Sequence, residues 1–88
     1  GKMTDRAASS EIVLKIREIT LADDGVIMID DLKTRKFGDK IYIDLEISVD
    51  GNLPLIEAHG IAERVHDSIE ANIPSVKHCM VHVNPAIT

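Results

Sequence analysis

Asp44 and Glu46 alternate with Ile43, Leu45 and Ile47, and His82 sits between Val81 and Val83 near the end of the chain. Such alternation marks a strand that buries one face and leaves the other polar. If two such strands lie side by side in one sheet, their apolar faces must point the same way. The two carboxylates and the imidazole then share the opposite face, where side chains of one parity on neighbouring strands come within reach of a common ion. Imidazole with carboxylate suits Zn²⁺ and equally Mn²⁺, Fe²⁺ or Co²⁺, so ligand type alone does not select the metal. An uncovered sheet face must be polar in any case, and from pattern alone the solvated surface is the commoner outcome.

The remaining ionisable candidates are weaker. His59 and His66 are seven residues apart on one helical pattern, too far to chelate one ion between them. His66 reads as a boundary histidine. His59, nearer the helix start, is placed to reach a site at the sheet edge or on a partner, and a structural role suits it as well. His78 opens the last strand on its exposed side, and Cys79 has core parity. Asp30 and Asp31 offer carboxylates, as any acid near a turn does.

The elements that must position these groups follow from periodicity and punctuation. Ser9 or Ser10 caps a first helix with Glu11 in its first turn and Ile12, Val13, Ile16 and Ile19 as its apolar stripe, ending near Leu21. Asp23-Asp24-Gly25 makes a turn, and a first strand runs from Val26 to about Arg35, its facing left open by four consecutive apolar residues. Phe37-Gly38-Asp39 is a turn short enough for an antiparallel hairpin with the strand over Lys40–Val49. After the break at Asp50-Gly51-Asn52, Pro54 falls in the first turn of a second helix that buries Leu55, Ala58, Ile61, Ala62, Val65 and Ile69 and ends before Pro74. That helix is long enough for a crossover making the third strand, about Lys77 to Val83, parallel to the second, with Pro85 as its stop. The expected fold is α+β: a truncated ferredoxin-like, metallochaperone-like α-β-β-α-β sandwich with two helices on one face of a three-stranded mixed sheet. Residues 1–8 read as a linker or the cut end of a larger chain, and residues 9–88 as the folded domain.

An 88-residue chain is one small domain, with little core to spare and room for help from a partner or an ion. The net charge of -5 opposes phosphate backbones, and only Phe37 and Tyr42 are aromatic, so nucleic acid is not expected as a ligand. A single cysteine permits no internal disulfide and no Cys-x-x-Cys metal or redox motif, and fits a reducing compartment. No run reaches the length of a membrane span and no signal pattern opens the chain, so these residues alone are expected to be soluble. A Gly-rich phosphate loop, a nucleophile elbow and His-Glu-x-x-His are all missing, which argues against an enzyme.

Gly25-Val26, Asp31-Leu32-Lys33-Thr34-Arg35, Gly38, the alternating strand, Ala58-His59 and His82-Val83-Asn84-Pro85 together resemble the cytoplasmic C-terminal domain of cation diffusion facilitator transporters. The likeness runs from about Ser9 to Pro85. It implies a homodimer beneath a membrane-embedded transporter that exports Zn²⁺ or a similar divalent cation, with Mn²⁺, Fe²⁺, Co²⁺ and Cd²⁺ as alternatives, by proton exchange. It also implies metal binding that draws two cytoplasmic domains together. His82 falls on the family's recurrent metal-binding histidine, His59 on the histidine that often follows alanine at the helix start, and Asp44 where some members place a liganding aspartate. Glu46 and Asp30 stand where certain members have histidines, and Asn84 where an acid is common before proline. The implied ligands are thus Asp44 and His82 at the centre with His59, Glu46 and Asp30 as secondary donors. The rival expectation is a free-standing ferredoxin-like module that binds metal or a small ligand.

Overall fold

The computed structural model describes residues 6–86. Its elements are α1 (Ser10–Leu21), β1 (Met28–Phe37), β2 (Lys40–Asp50), α2 (Leu55–Asn72) and β3 (Val76–Ala86). β2 is central, antiparallel to β1 and parallel to β3. Both helices pack on one face, which is the expected truncated ferredoxin-like sandwich.

Local chemistry sets the ends of these elements. The Ser9 side chain accepts from the Ile12 N–H at 3.3 Å and caps α1. Gly38, with φ 59°, is the first of the two residues joining β1 to β2, the place where a tight hairpin needs positive φ. Pro54 caps α2 through its backbone carbonyl, which accepts from Glu57 and Ala58 at 3.0 and 3.1 Å. It therefore stands one position before the helix rather than inside its first turn. Of the expected linker, residues 1–5 lie outside the described residues. Residues 6–8 are tied to β1, with Arg6 in a backbone bridge to Lys36 and the Ala8 N–H donating to Thr34 Oγ1 at 2.8 Å.

The core lies between the sheet and the helices. Ile41, Ile43, Leu45, Ile47 and Val49 of β2 meet Ile16 of α1 and Ile61, Val65 and Ile69 of α2, all nearly without solvent contact. Burying each such side chain contributes about 1.5–3 kcal/mol. Thr20 is also fully buried, its hydroxyl donating to the Ile16 carbonyl at 2.7 Å.

Three expectations need correction. The apolar stripe of α2 predicts a buried Leu55, but the residue is 84% exposed. It has the angular position of the stripe, but no element covers the first turn of the helix. Pro85 does not stop β3, which continues to Ala86 with Pro85 opposite Val49. β3 is an edge strand, so a residue without an N–H can face outward at no cost to the ladder. The first strand begins at Met28 rather than Val26, and a bulge between Ile29 and Asp31 breaks its alternation. The bulge inserts Asp30 and returns Leu32 to the core face opposite Leu45.

Candidate metal centre

The uncovered face of the sheet carries Asp44, Glu46 and Ser48 from β2, His78, Met80, His82 and Asn84 from β3, and Asp31, Lys33 and Arg35 from β1. The expected parity is correct: both carboxylates and His82 lie on this face. Register refines it. Glu46 is the direct partner of His82, whereas Asp44 lies opposite Met80 and is diagonal to His82. Among the described residues, no three or more His, Cys, Asp or Glu side chains lie close enough to hold a metal ion. The five candidate ligands divide among three places.

The first place is a polar network at the bulge. Ser48 Oγ lies 2.7 and 2.6 Å from the two carboxylate oxygens of Asp30. Asn84 Nδ2 donates to Asp30 Oδ2 at 2.9 Å and to Glu46 Oε1 at 3.1 Å. The Ser48 bond first, and then the Asn84 bond, hold the Asp30 carboxyl below its ordinary range. An amide with two donors thus sits between two carboxylates, where a cation would otherwise relieve their repulsion.

The second place is a groove between the start of α2 and the outer side of β3. His59 and His82 both line it, with Asp50, Leu55, Val81 and Pro85. His59 is exposed, and its Nε2 lies 3.0 Å from Glu63 Oε1 one turn on. Here α2 and β3 place along one groove two imidazoles that are 23 positions apart in the chain. A zinc site takes four such ligands, and this groove offers two imidazoles.

The third place is the other half of the sheet face, where exposed Asp44 borders a shallow concavity with Lys33, Arg35, Phe37, Tyr42 and His78. The Phe37 and Tyr42 rings meet edge to face at 5.5 Å.

Other candidates fall away from these places. His66 lies far along α2, with its ring nitrogens 3.1 Å from Asp67 Oδ1 and 3.4 Å from Glu70 Oε2. Cys79 packs in the core as its parity indicated, and burial, with Glu70 and Asp44 adding, pushes its thiol up to about 11. It is therefore a protonated thiol at neutral pH, unsuited to ligate without rearrangement. Sequence reasoning missed the Asp23–Arg64 pair, a two-pronged contact at 2.8 and 3.0 Å that ties the α1–β1 loop to α2. Only the turn residues around Asp23 hinted at a fixed loop.

Comparison with known proteins gives a consistent result. Residues 8–86 match the family model described as the cytoplasmic domain of cation efflux proteins. A cation-efflux pump FieF from Cronobacter sakazakii is 35% identical over 83 residues, covering 94% of this chain and 27% of the relative. The manganese efflux system protein MneP of Bacillus subtilis is 24% identical over 83 residues, covering 94% of this chain and 28% of the relative. The chain thus spans about a quarter of the length of these relatives. Among solved structures, a MamM C-terminal domain variant superposes with a TM-score of 0.84 at 25% identity, over 88% of this chain and 96% of that one.

Proposed function

Because the chain belongs to the cation efflux family, as the cytoplasmic domain of such proteins, we propose that it is the homodimeric, metal-sensing regulatory domain of a proton-coupled divalent-cation efflux transporter. It has no catalysis of its own in this reading. The transporting segments belong to the membrane-embedded remainder of the protein, and relatives named for cation and manganese efflux support a divalent cation as cargo. Zn²⁺ suits the imidazole donors best, with Mn²⁺, Fe²⁺, Co²⁺ and Cd²⁺ as alternatives.

The observation that carries this reading is the groove that holds His59 and His82 beside the exposed Leu55. A side chain 84% exposed on the apolar stripe of a helix is a surface that gains by being covered. Two imidazoles in one chain make only part of a coordination shell, so a second copy supplies both the cover and the missing donors. In a two-fold arrangement each modest contact counts twice. Asp44 and His82 act as the central ligands, joined when two chains approach, and His59 adds a nitrogen from the helix start. Glu46 and Asp30 are the secondary donors, available once Asn84 releases them.

Sedimentation of the chain at micromolar concentration tests this. The reading expects twice the chain mass, with self-association strengthened by Zn²⁺ or Mn²⁺ and weakened by chelator. A monomer at every accessible concentration, with and without metal, contradicts it. A free-standing module has no comparable observation in its favour.

A further inference from the structure

The chain is acidic overall, with fifteen Asp and Glu against ten Lys and Arg, but the signs are not evenly mixed. β2 and β3 run parallel and start at the end of the sheet where β1 stops. Lys36, Lys40 and Lys77 all lie at that end, and all are exposed. Exposed Arg6 joins them through its backbone bridge to Lys36. Among the described residues, Asp39 of the hairpin turn lies at this end too, and Glu70 of α2 is close enough to act on Cys79, two positions from Lys77. The opposite end carries Asp23, Asp24, Asp30, Asp50 and Glu57. The domain therefore has one basic tip on an acidic body.

The position of Arg6 gives that tip a direction. The described chain enters the fold at this end, with Arg6 bridged to Lys36 two positions before Gly38 of the hairpin turn. The proposal rests on the reading above together with the C-terminal placement that the family resemblance implies, by which the membrane-embedded part precedes this domain. We propose that the tip formed by Arg6, Lys36, Lys40 and Lys77 docks on the anionic phospholipid headgroups of the membrane surface. Lys and Arg are drawn to an anionic leaflet within about a Debye length, roughly 8–10 Å at physiological salt. The acidic body is repelled by the same surface, so the two ends together orient the domain tip-first.

Vesicle flotation tests this with the chain itself, using phosphatidylcholine alone or with phosphatidylserine added, at low and at physiological ionic strength. The expected result is binding that requires phosphatidylserine and weakens with salt. Reversing two tip charges, Lys36→Glu with Lys40→Glu, should lower partitioning about tenfold or more. Reversing two exposed charges on α1, Lys15→Glu with Arg17→Glu, changes net charge equally and should lower it far less. The pair Lys36→Gln with Lys40→Gln should give an intermediate loss and serves if the reversed pair does not fold, as judged by circular dichroism. Equal losses from the tip and α1 pairs, or no preference for phosphatidylserine at low salt, overturn the proposal. Abolition by inorganic phosphate at constant ionic strength also overturns it, in favour of a small-anion site. Because metal-linked self-association is measured separately, failure here leaves the regulatory reading standing, and failure there does not explain failure here.

Discussion

The side-chain amide of Asn84 lies 2.9 Å from Asp30 Oδ2 and bridges it to Glu46, 3.1 Å away. A neutral amide here does what a cation would do, offering one hydrogen to each of two carboxylates. It thereby closes the polar network of the open face at this corner.

Replacing Asn84 with aspartate therefore has a definite expected outcome. Asn84→Asp removes both donors and adds a third carboxylate, so the chelated protein should lose stability. Divalent cation should restore it, by about 2.7 kcal/mol at a hundred times Kd if the unfolded chain does not bind. Thermal melts with chelator, Mn²⁺ and Zn²⁺ check this. Equal metal-induced shifts in the variant and the parent would show that the amide does not govern the corner.

Asp44 and His82 are diagonal neighbours on the open face, whereas His66 lies far along α2 with Asp67 and Glu70. Calorimetric titration with Zn²⁺ and Mn²⁺ should show Asp44→Ala and His82→Ala each weakening binding by about tenfold or more, in keeping with loss of a ligand. His59→Ala should fall between these and His66→Ala, which should match the parent. Equal affinities throughout would identify the shared face as solvated surface.

Leu55 is exposed in a single chain, so Leu55→Glu should leave folding intact and weaken self-association. A charge placed in an apolar contact that two-fold symmetry repeats should raise the dimer dissociation constant at least about tenfold. Sedimentation of the variant beside Leu55→Ala measures it. An unchanged dimer would place the interface elsewhere.

Arg64 holds the Asp23 carboxyl below its ordinary value, chiefly by the side-chain hydrogen bond. A group depressed on folding stabilises the native state above its unfolded pKa, and that stabilisation is lost as pH falls through the folded pKa. Asp23→Asn should thus lower the urea midpoint at neutral pH, and the gap from the parent should close below about pH 3.8. A gap of constant size down to strongly acidic pH would assign the effect to loop packing rather than charge. In the core, Leu45→Ala should cost about 2–5 kcal/mol at any pH.

Much of the architecture can be read from pattern. The alternation of Lys40–Val49 declares a face, Ser9 declares a helix start, and the length between β2 and β3 declares a parallel crossover. What escapes is whatever depends on neighbours. Leu55 belongs to the stripe by angle, and nothing in the chain says that its turn goes uncovered. Pro85 reads as a stop until β3 is known to be an edge. The pairing of His82 with Glu46 rather than Asp44 depends on register, which includes a shift between Ile41 and Tyr42. Asp23 and Arg64 are 41 positions apart, and no local signal connects them.

The central claim is that metal draws two copies of this domain together, and distances between spin labels on the two chains test it most directly. Two chains of net charge -5 repel when their acidic faces approach, and a bound dication offsets that cost, so the closed arrangement needs metal. Imidazole must be neutral to ligate, so protons compete with metal for it in mild acid. The account predicts a shorter, narrower distance distribution with saturating Zn²⁺ or Mn²⁺ at neutral pH, reverting toward the metal-free one in mild acid. Identical distributions with and without saturating metal at neutral pH would contradict it.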